Sequence, residues 1–252
     1  MALLSSELQT RIAKFATTKL QAITQTEISI GRIYFKPFKT IEINDLYVSD
    51  DNRDTLFYIH KLSASINWLN LSDSYIWLGH VHLDSAKVYF TNDSTETMNL
   101  LRFIDSFGTD TTDTPSDGPP FTLKVSDLQI RKTNFRLKSY QPEYIESGMN
   151  YEDMFFKNIN LDAENFKLVN AYIFLDINHL SALEQSGIKI DTIQGYFAMD
   201  STGIGIENMH LRLDSTFVRG KKQKLVFSDF AQMSNFLSEI VLDSDIESAR
   251  IR

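Results

Sequence analysis

Two neighbouring stretches, Ile28-Ser-Ile-Gly-Arg-Ile-Tyr-Phe35 and Ile41-Glu-Ile-Asn-Asp-Leu-Tyr-Val48, decide how this 252-residue chain folds. Each puts apolar residues at positions one, three, six and eight of an eight-residue frame, and non-apolar residues at four and five. The frame recurs at 76–83, 123–130, 154–161 and 204–211, and at 188–195 except for its last position. Successive side chains on a strand point to opposite faces, so positions one and three share a face while six and eight have the other parity. A bulge at positions four and five returns the second pair to the first face. The frame therefore predicts bent strands that are apolar on one side. The irregular spacing between frames argues against a strict solenoid.

The next two segments, residues 55–69 and 75–90, also read as strands. From Leu56 through Tyr58, His60, Leu62, Ala64 and Ile66 to Trp68 the even positions are mostly apolar, while Lys61, Ser63, Ser65 and Asn67 are polar. That alternation predicts one face along the whole segment. Polar turns at 49–54 and 70–74, and Pro37 between the first two strands, break the chain into short elements that favour antiparallel meanders over βαβ crossovers. The predicted fold is mainly β: a curved antiparallel sheet, a half-pipe, over residues 26–252.

Two helices accompany it. Leu4, Leu8, Ile12, Phe15, Leu20 and Ile23 recur at helical spacing, which predicts an amphipathic helix over residues 3–23 within a membrane-proximal amino-terminal segment, 1–25. Leu100, Leu101, Phe103, Ile104 and Phe107 predict a short helix over 98–107. Residues 105–120 are too polar and too broken by Gly and Pro to order themselves, and predict a disordered loop.

Composition narrows the function. Without cysteine there is no disulfide, thiolate ligand or cysteine nucleophile. The net charge of −8 argues against nucleic acid as a partner. Residues 1–40 carry six basic and two acidic side chains, leaving nineteen basic and thirty-one acidic over the rest, so the amino-terminal end suits an anionic membrane surface. No apolar run is long enough to span a bilayer, and no signal peptide is legible. The beginning and end of the sequence predict further chain on both sides.

No catalytic motif is present. Gly203-Ile-Gly205 lacks the third glycine of a dinucleotide fingerprint. His80-Val-His82 sets two imidazoles on one strand face with Asp84 as the third ligand within reach, short of a metal site. Asp50, Asp51 and Asp54 lack the glycine and distal glutamate of a calcium loop. The sequence predicts a non-enzymatic protein without cofactor or metal, whose extended apolar face meets a partner, a membrane or an oily ligand.

The order of several stretches carries a resemblance. Thr26-Glu-Ile-Ser-Ile-Gly-Arg-Ile33, Ile41 to Val48, Asp54-Thr-Leu-Phe-Tyr58 and Ala64-Ser-Ile-Asn-Trp68 resemble the amino-terminal region of TamB proteins of the AsmA-like superfamily, in its Bacteroidetes-type branch. Met98 to Phe107, Phe121 to Ile130 and Leu180 to Gly187 agree with it. The resemblance implies a β-taco-like half-pipe in the periplasm, anchored in the bacterial inner membrane and reaching toward the outer membrane. It implies a role in outer-membrane biogenesis as a phospholipid conduit, with an outer-membrane barrel protein as partner through carboxyl-terminal chain absent here. Acyl chains would lie along Ile28, Ile30, Ile41, Ile43, Leu62, Ile66, Trp68, Val81, Leu83, Leu123 and Val125. The alternative expectation is a protein-interaction module that assists outer-membrane protein assembly or secretion by β-augmentation at open sheet edges.

Overall fold

The computed structural model describes residues 26–36, 39–70, 75–95, 98–105, 122–169, 172–227 and 240–251. They form one open eleven-stranded sheet in which strand order follows sequence order. The strands are β1 (Ile28–Lys36), β2 (Thr40–Ser49), β3 (Thr55–Asn70), β4 (Tyr75–Thr91), β5 (Thr122–Lys138), β6 (Asp153–Val169), β7 (Tyr172–Glu184), β8 (Lys189–Asp200), β9 (Gly203–Leu213), β10 (Thr216–Val226) and β11 (Val241–Arg250). One helix, α1 (Asn99–Asp105), sits between β4 and β5. The first four strands fall within a residue of their predicted bounds, and α1 lies inside the stretch predicted for it. The predicted helix over 3–23 lies outside the described residues, as does the loop predicted over 105–120 except for Asp105, which ends α1.

An all-antiparallel sheet was the expectation, and one pair departs from it: β4 and β5 run parallel. The connection between them spans residues 92–121 and contains α1, long enough to return the chain to the end of the sheet it left.

Six non-glycine residues inside strands adopt the left-handed conformation: Asp45, Ser85, Lys132, Asn158, Asn165 and Asn208. Asp45, Asn158 and Asn208 occupy position five of the recurring frame, where the reversal of parity predicts a bulge. The register shifts beside Asn158 and Asn208, but at Asp45 the pairing stays one to one, Ile30 with Leu46 and Arg32 with Asn44, so parity reverses in the frames at 28–35 and 41–48 without an extra residue. In the frame at 76–83 the β3–β4 register shifts around Gly79 and His80. In the frame at 123–130 the left-handed residue is Asn165, on the neighbouring strand β6. The frame at 188–195 ends on glycine for a steric reason. Gly195 has φ 142°, and a Cβ there would lie 2.6 Å from the Glu207 carbonyl oxygen.

These reversals gather the apolar side chains on one side. Buried Leu161, Ala163, Leu175 and Ile177 pack with Phe166 and Leu180, although Phe166 and Leu180 have the opposite parity along their own strands. The reading of β3 as one unbroken alternation is corrected by the same device. Phe57 packs in a cluster with Ile28 and Val48, whereas Tyr58 and His60 turn to the other side and meet Asp45. The face changes at His60 and Lys61 because the flanking strands carry their left-handed residues, Asp45 and Ser85, at that level.

Asparagine and aspartate tolerate this conformation because their short polar side chains bond locally, while a β-branched residue does not. Asn208→Val should cost about 1–2 kcal/mol in urea unfolding and Asn208→Gly close to nothing. Equal stability of the two variants would show that the bulge does not depend on the left-handed residue.

Candidate functional site

Cross-strand pairing carries one apolar row through every strand of the sheet. It runs Ile33, Ile43, Leu62, Leu83, Ile130, Leu161, Leu180, Ile193, Leu211, Val218, Ala249, each opposite the next. A second row beside it runs Phe35, Ile41, Ala64, Val81, Leu128, Ala163 and Ile177, and ends on Gly195. A further row at the other end of the strands runs Ile76, Leu123, Leu168, Ile173, Met199, Ile204, Leu225 and Leu242. Ile66, Leu78, Val125 and Phe166 pair between the last two. Most of these side chains are half-buried. Ile33, Val81, Val125, Leu161, Ala163 and Ile177 are buried.

At one corner this face is covered. Leu100 and Phe103 of α1 pack on Ile28, Val48 and Leu56, and Phe57 meets Phe90 and Phe103 edge to face. Polar groups fix the helix there. Buried Asn99 donates through Nδ2 to Asp50 Oδ2 at 3.1 Å and accepts from the Thr91 amide at 3.1 Å. Asp50 Oδ1 accepts from the amides of Asn52 and Asp54. Arg102 bridges Asp51 and Asp93. The acidic turn at 50–54 thus clamps a helix, and Asn99 and Arg102, which the sequence reading did not single out, complete the clamp.

Of the eleven residues expected to line a groove, ten lie on this apolar side. Ile28 and Ile30 stand at the α1 corner, Ile41, Ile43, Leu62, Val81 and Leu83 in the first two rows, and Ile66, Leu123 and Val125 toward the far end. Trp68 does not join them. It pairs with Trp77, which alternates with Ile76 and Leu78, so both indoles stand on the polar side. Trp68 is 59% exposed, and Trp77 Nε1 donates to Ser126 Oγ at 3.0 Å. Beside Trp77 a cavity of about 320 Å³ opens among Tyr75, Trp77, Lys124, Ser126, Asn165 and Lys167, and Val125 and Phe166 of the apolar rows also line it.

The polar side has rows of its own. Tyr34, Glu42, Ser63, His82, Gln129, Asp162 and His179 form one; His80, Asp127, Glu164, Asp176, Tyr196, Glu207, Lys222 and Asp245 form another. His80 Nδ1 lies 2.9 Å from Asp127 Oδ2, a pairing across β4 and β5. Among the described residues no three His, Asp or Glu side chains converge as ligands for a metal ion. Asp45 is held below the usual carboxylate range by His60 first and then by the Tyr58 hydroxyl. Compared with known proteins, the chain matches no family model, and no curated protein matches it significantly.

Glu42 contributes a pH dependence on this side. Its buried carboxylate lies 2.5 Å from Lys36 Nζ and 3.3 Å from Lys61 Nζ, and the hydrogen bond from Lys36 is the main cause of its lowered pKa. A carboxyl that is more acidic folded than unfolded stabilises the fold fully above its ordinary value of 4.5 and loses that contribution as pH falls through the folded value. Glu42→Gln should therefore cost on the order of 1–2 kcal/mol at neutral pH and much less near pH 3. Urea unfolding across that range checks it, and a cost independent of pH would remove Glu42 from the acid limb.

Proposed function

We propose that this chain is a non-enzymatic periplasmic segment of a TamB-like, AsmA-like protein, attached to the bacterial inner membrane, that gives phospholipid acyl chains an apolar path between the membranes. The observation that carries the reading is the row from Ile33 to Ala249, apolar at every one of eleven strands. A row that crosses strands runs along the length of the sheet, so an oily chain laid on it meets hydrocarbon from β1 to β11.

In this reading the sheet curls into a half-pipe with the apolar rows inside. Two features support it. Val81, Val125, Leu161, Leu175 and Ile177 are buried, although among the described residues no second layer lies over them. Neighbours on the same face must lean in to cover them. The repeated bulges favour the same bend, since each increases local twist and coiling. Each methylene transferred from water is worth about 0.8 kcal/mol, so a partly shielded acyl chain is held without specific polar contacts, and its head group stays in water. Helix α1 closes one corner, leaving the remaining rows as the path.

β-Augmentation is the second reading, favoured by the sheet edges. Among the described residues β1 pairs with β2 alone, and β11 pairs with β10 alone with all ten of its residues exposed. Strands of outer-membrane protein clients, or of an outer-membrane barrel partner, would add there.

Leu83→Glu places a carboxylate in the central row and should remove co-purifying phospholipid seen by native mass spectrometry, with the far-UV β signal unchanged. Gln129→Glu, on the polar side, should leave the lipid in place. Equal lipid in Leu83→Glu and the unaltered chain would sink the conduit reading, and peptide crosslinks from β11 with no lipid on the face would favour the edge.

A further inference from the structure

The corner around Trp68 and Trp77 is on the polar side, and neither the acyl path nor core packing accounts for its composition. Lys124 and Lys167 stand directly opposite each other on β5 and β6. Both are exposed, and neither has an ion-pair partner among the described residues. Like charges directly across a sheet repel, so this pair is unfavourable until an anion lies between them.

The surroundings fit a particular anion. Lys124 Nζ lies 5.5 Å from the centre of the Tyr75 ring, which directs the ammonium group. Trp77 forms one wall of the cavity, its indole steadied by the hydrogen bond to Ser126. Ser126 and Asn165 add a hydroxyl and an amide at the bulge. The nearest acidic row, Asp127, Glu164 and Asp176, begins beyond them. There Asp127 is engaged by His80, and Asp176 accepts from Asn165 Nδ2 at 2.8 Å. Two ammonium groups with neutral donors match the several oxygens of a phosphate. An aromatic wall suits the organic part of an ester, and about 320 Å³ leaves room for a body the size of glycerol.

We propose that this corner binds a phosphate ester, with Lys124 and Lys167 on the phosphate oxygens and Trp77 against the organic part. A phospholipid head group and a small soluble phosphate ester share this chemistry. The site stands on the side of the sheet opposite the apolar rows and does not rest on the conduit reading.

Trp68 and Trp77 are the two tryptophans of the chain, so intrinsic fluorescence reports on this corner without a label. The chain is titrated with a short-chain phosphatidylglycerol kept monomeric, with glycerol 3-phosphate, and with inorganic phosphate as competitor. A saturable change in emission is expected, weakened about tenfold or more in Lys124→Ala/Lys167→Ala and kept in Lys124→Arg/Lys167→Arg. Saturation by the lipid alone identifies a head group, and saturation by glycerol phosphate as well identifies the soluble ester; both support the site. Leu83→Glu should titrate like the unaltered chain, which separates this site from the acyl path. An emission that responds to none of the compounds, a double alanine variant that titrates normally, or loss of the response in Leu83→Glu would overturn the proposal.

Discussion

The sheet depends on a reversal of side-chain parity inside its strands. A regular strand as long as β4, β5 or β6, each 17 residues, offers alternate positions to one face from end to end. These three strands instead change phase twice. On β4 the apolar set passes from Ile76 and Leu78 to Val81 and Leu83, then to Ala86, Val88 and Phe90. On β5 it passes from Leu123 and Val125 to Leu128 and Ile130, then to Phe135 and Leu137. The phases change at the same level on neighbouring strands, so the pairing of like with like survives. Without that coordination the rows would break, and apolar side chains would divide between two wetted faces.

Sharing the irregularity between neighbours also explains where the unusual backbone sits. Asp45 faces the Gly31 level of β1, Ser85 and Lys132 lie on adjacent strands, and Asn165 lies across from Ser126. Each bulge frees polar groups that the ladder no longer uses, and side chains at that level take them up. Asn160 Oδ1 accepts from the Lys132 amide, Asn134 Oδ1 from the Asn158 amide, and Ser65 Oγ from the His80 amide. The Asn and Ser residues that give these strands their mixed look in sequence are therefore part of the hydrogen bonding of the sheet. A buried or half-buried backbone group must find a partner, and here short polar side chains supply it.

Much of this was legible from the eight-residue frame, because phase reversal leaves a mark in the order of apolar residues. The positions of β1, β2, β4, β5, β6 and β9, the reversal of parity at positions four and five, and the sidedness of the sheet followed from it; the extra residue of a bulge did not at β1 and Asp45, where the pairing stays one to one. Two kinds of feature did not. Over residues 55–68 Tyr58 and His60 are compatible with either face, so an unbroken alternation and a reversed one fit equally well; the Asp45 carboxylate on the next strand decides between them. Trp68 was placed with the apolar set for its size, yet an indole N–H and a wide ring suit a wetted corner as well as a core. Pairings across long sequence separations, such as Asn99 with Asp50 or Lys124 with Lys167, have no local periodicity to announce them. The parallel pair β4–β5 was hidden for the same reason, since direction depends on how the 92–121 connection travels.

The two sides of the sheet bear differently on its possible partners. Edge strand β11 carries Asp243, Asp245 and Glu247, and its hold on β10 includes ion pairs from Lys222 and Lys221. Charges along an edge discourage indiscriminate addition of further strands, so an added strand must answer that charge with basic residues. The apolar face asks for no such match. Its central row presents Ile, Leu and Val side chains from Ile33 to Val218, with no charge among them. A surface of that kind suits a chain of methylenes better than a folded protein, whose own polar backbone would have to be satisfied against it.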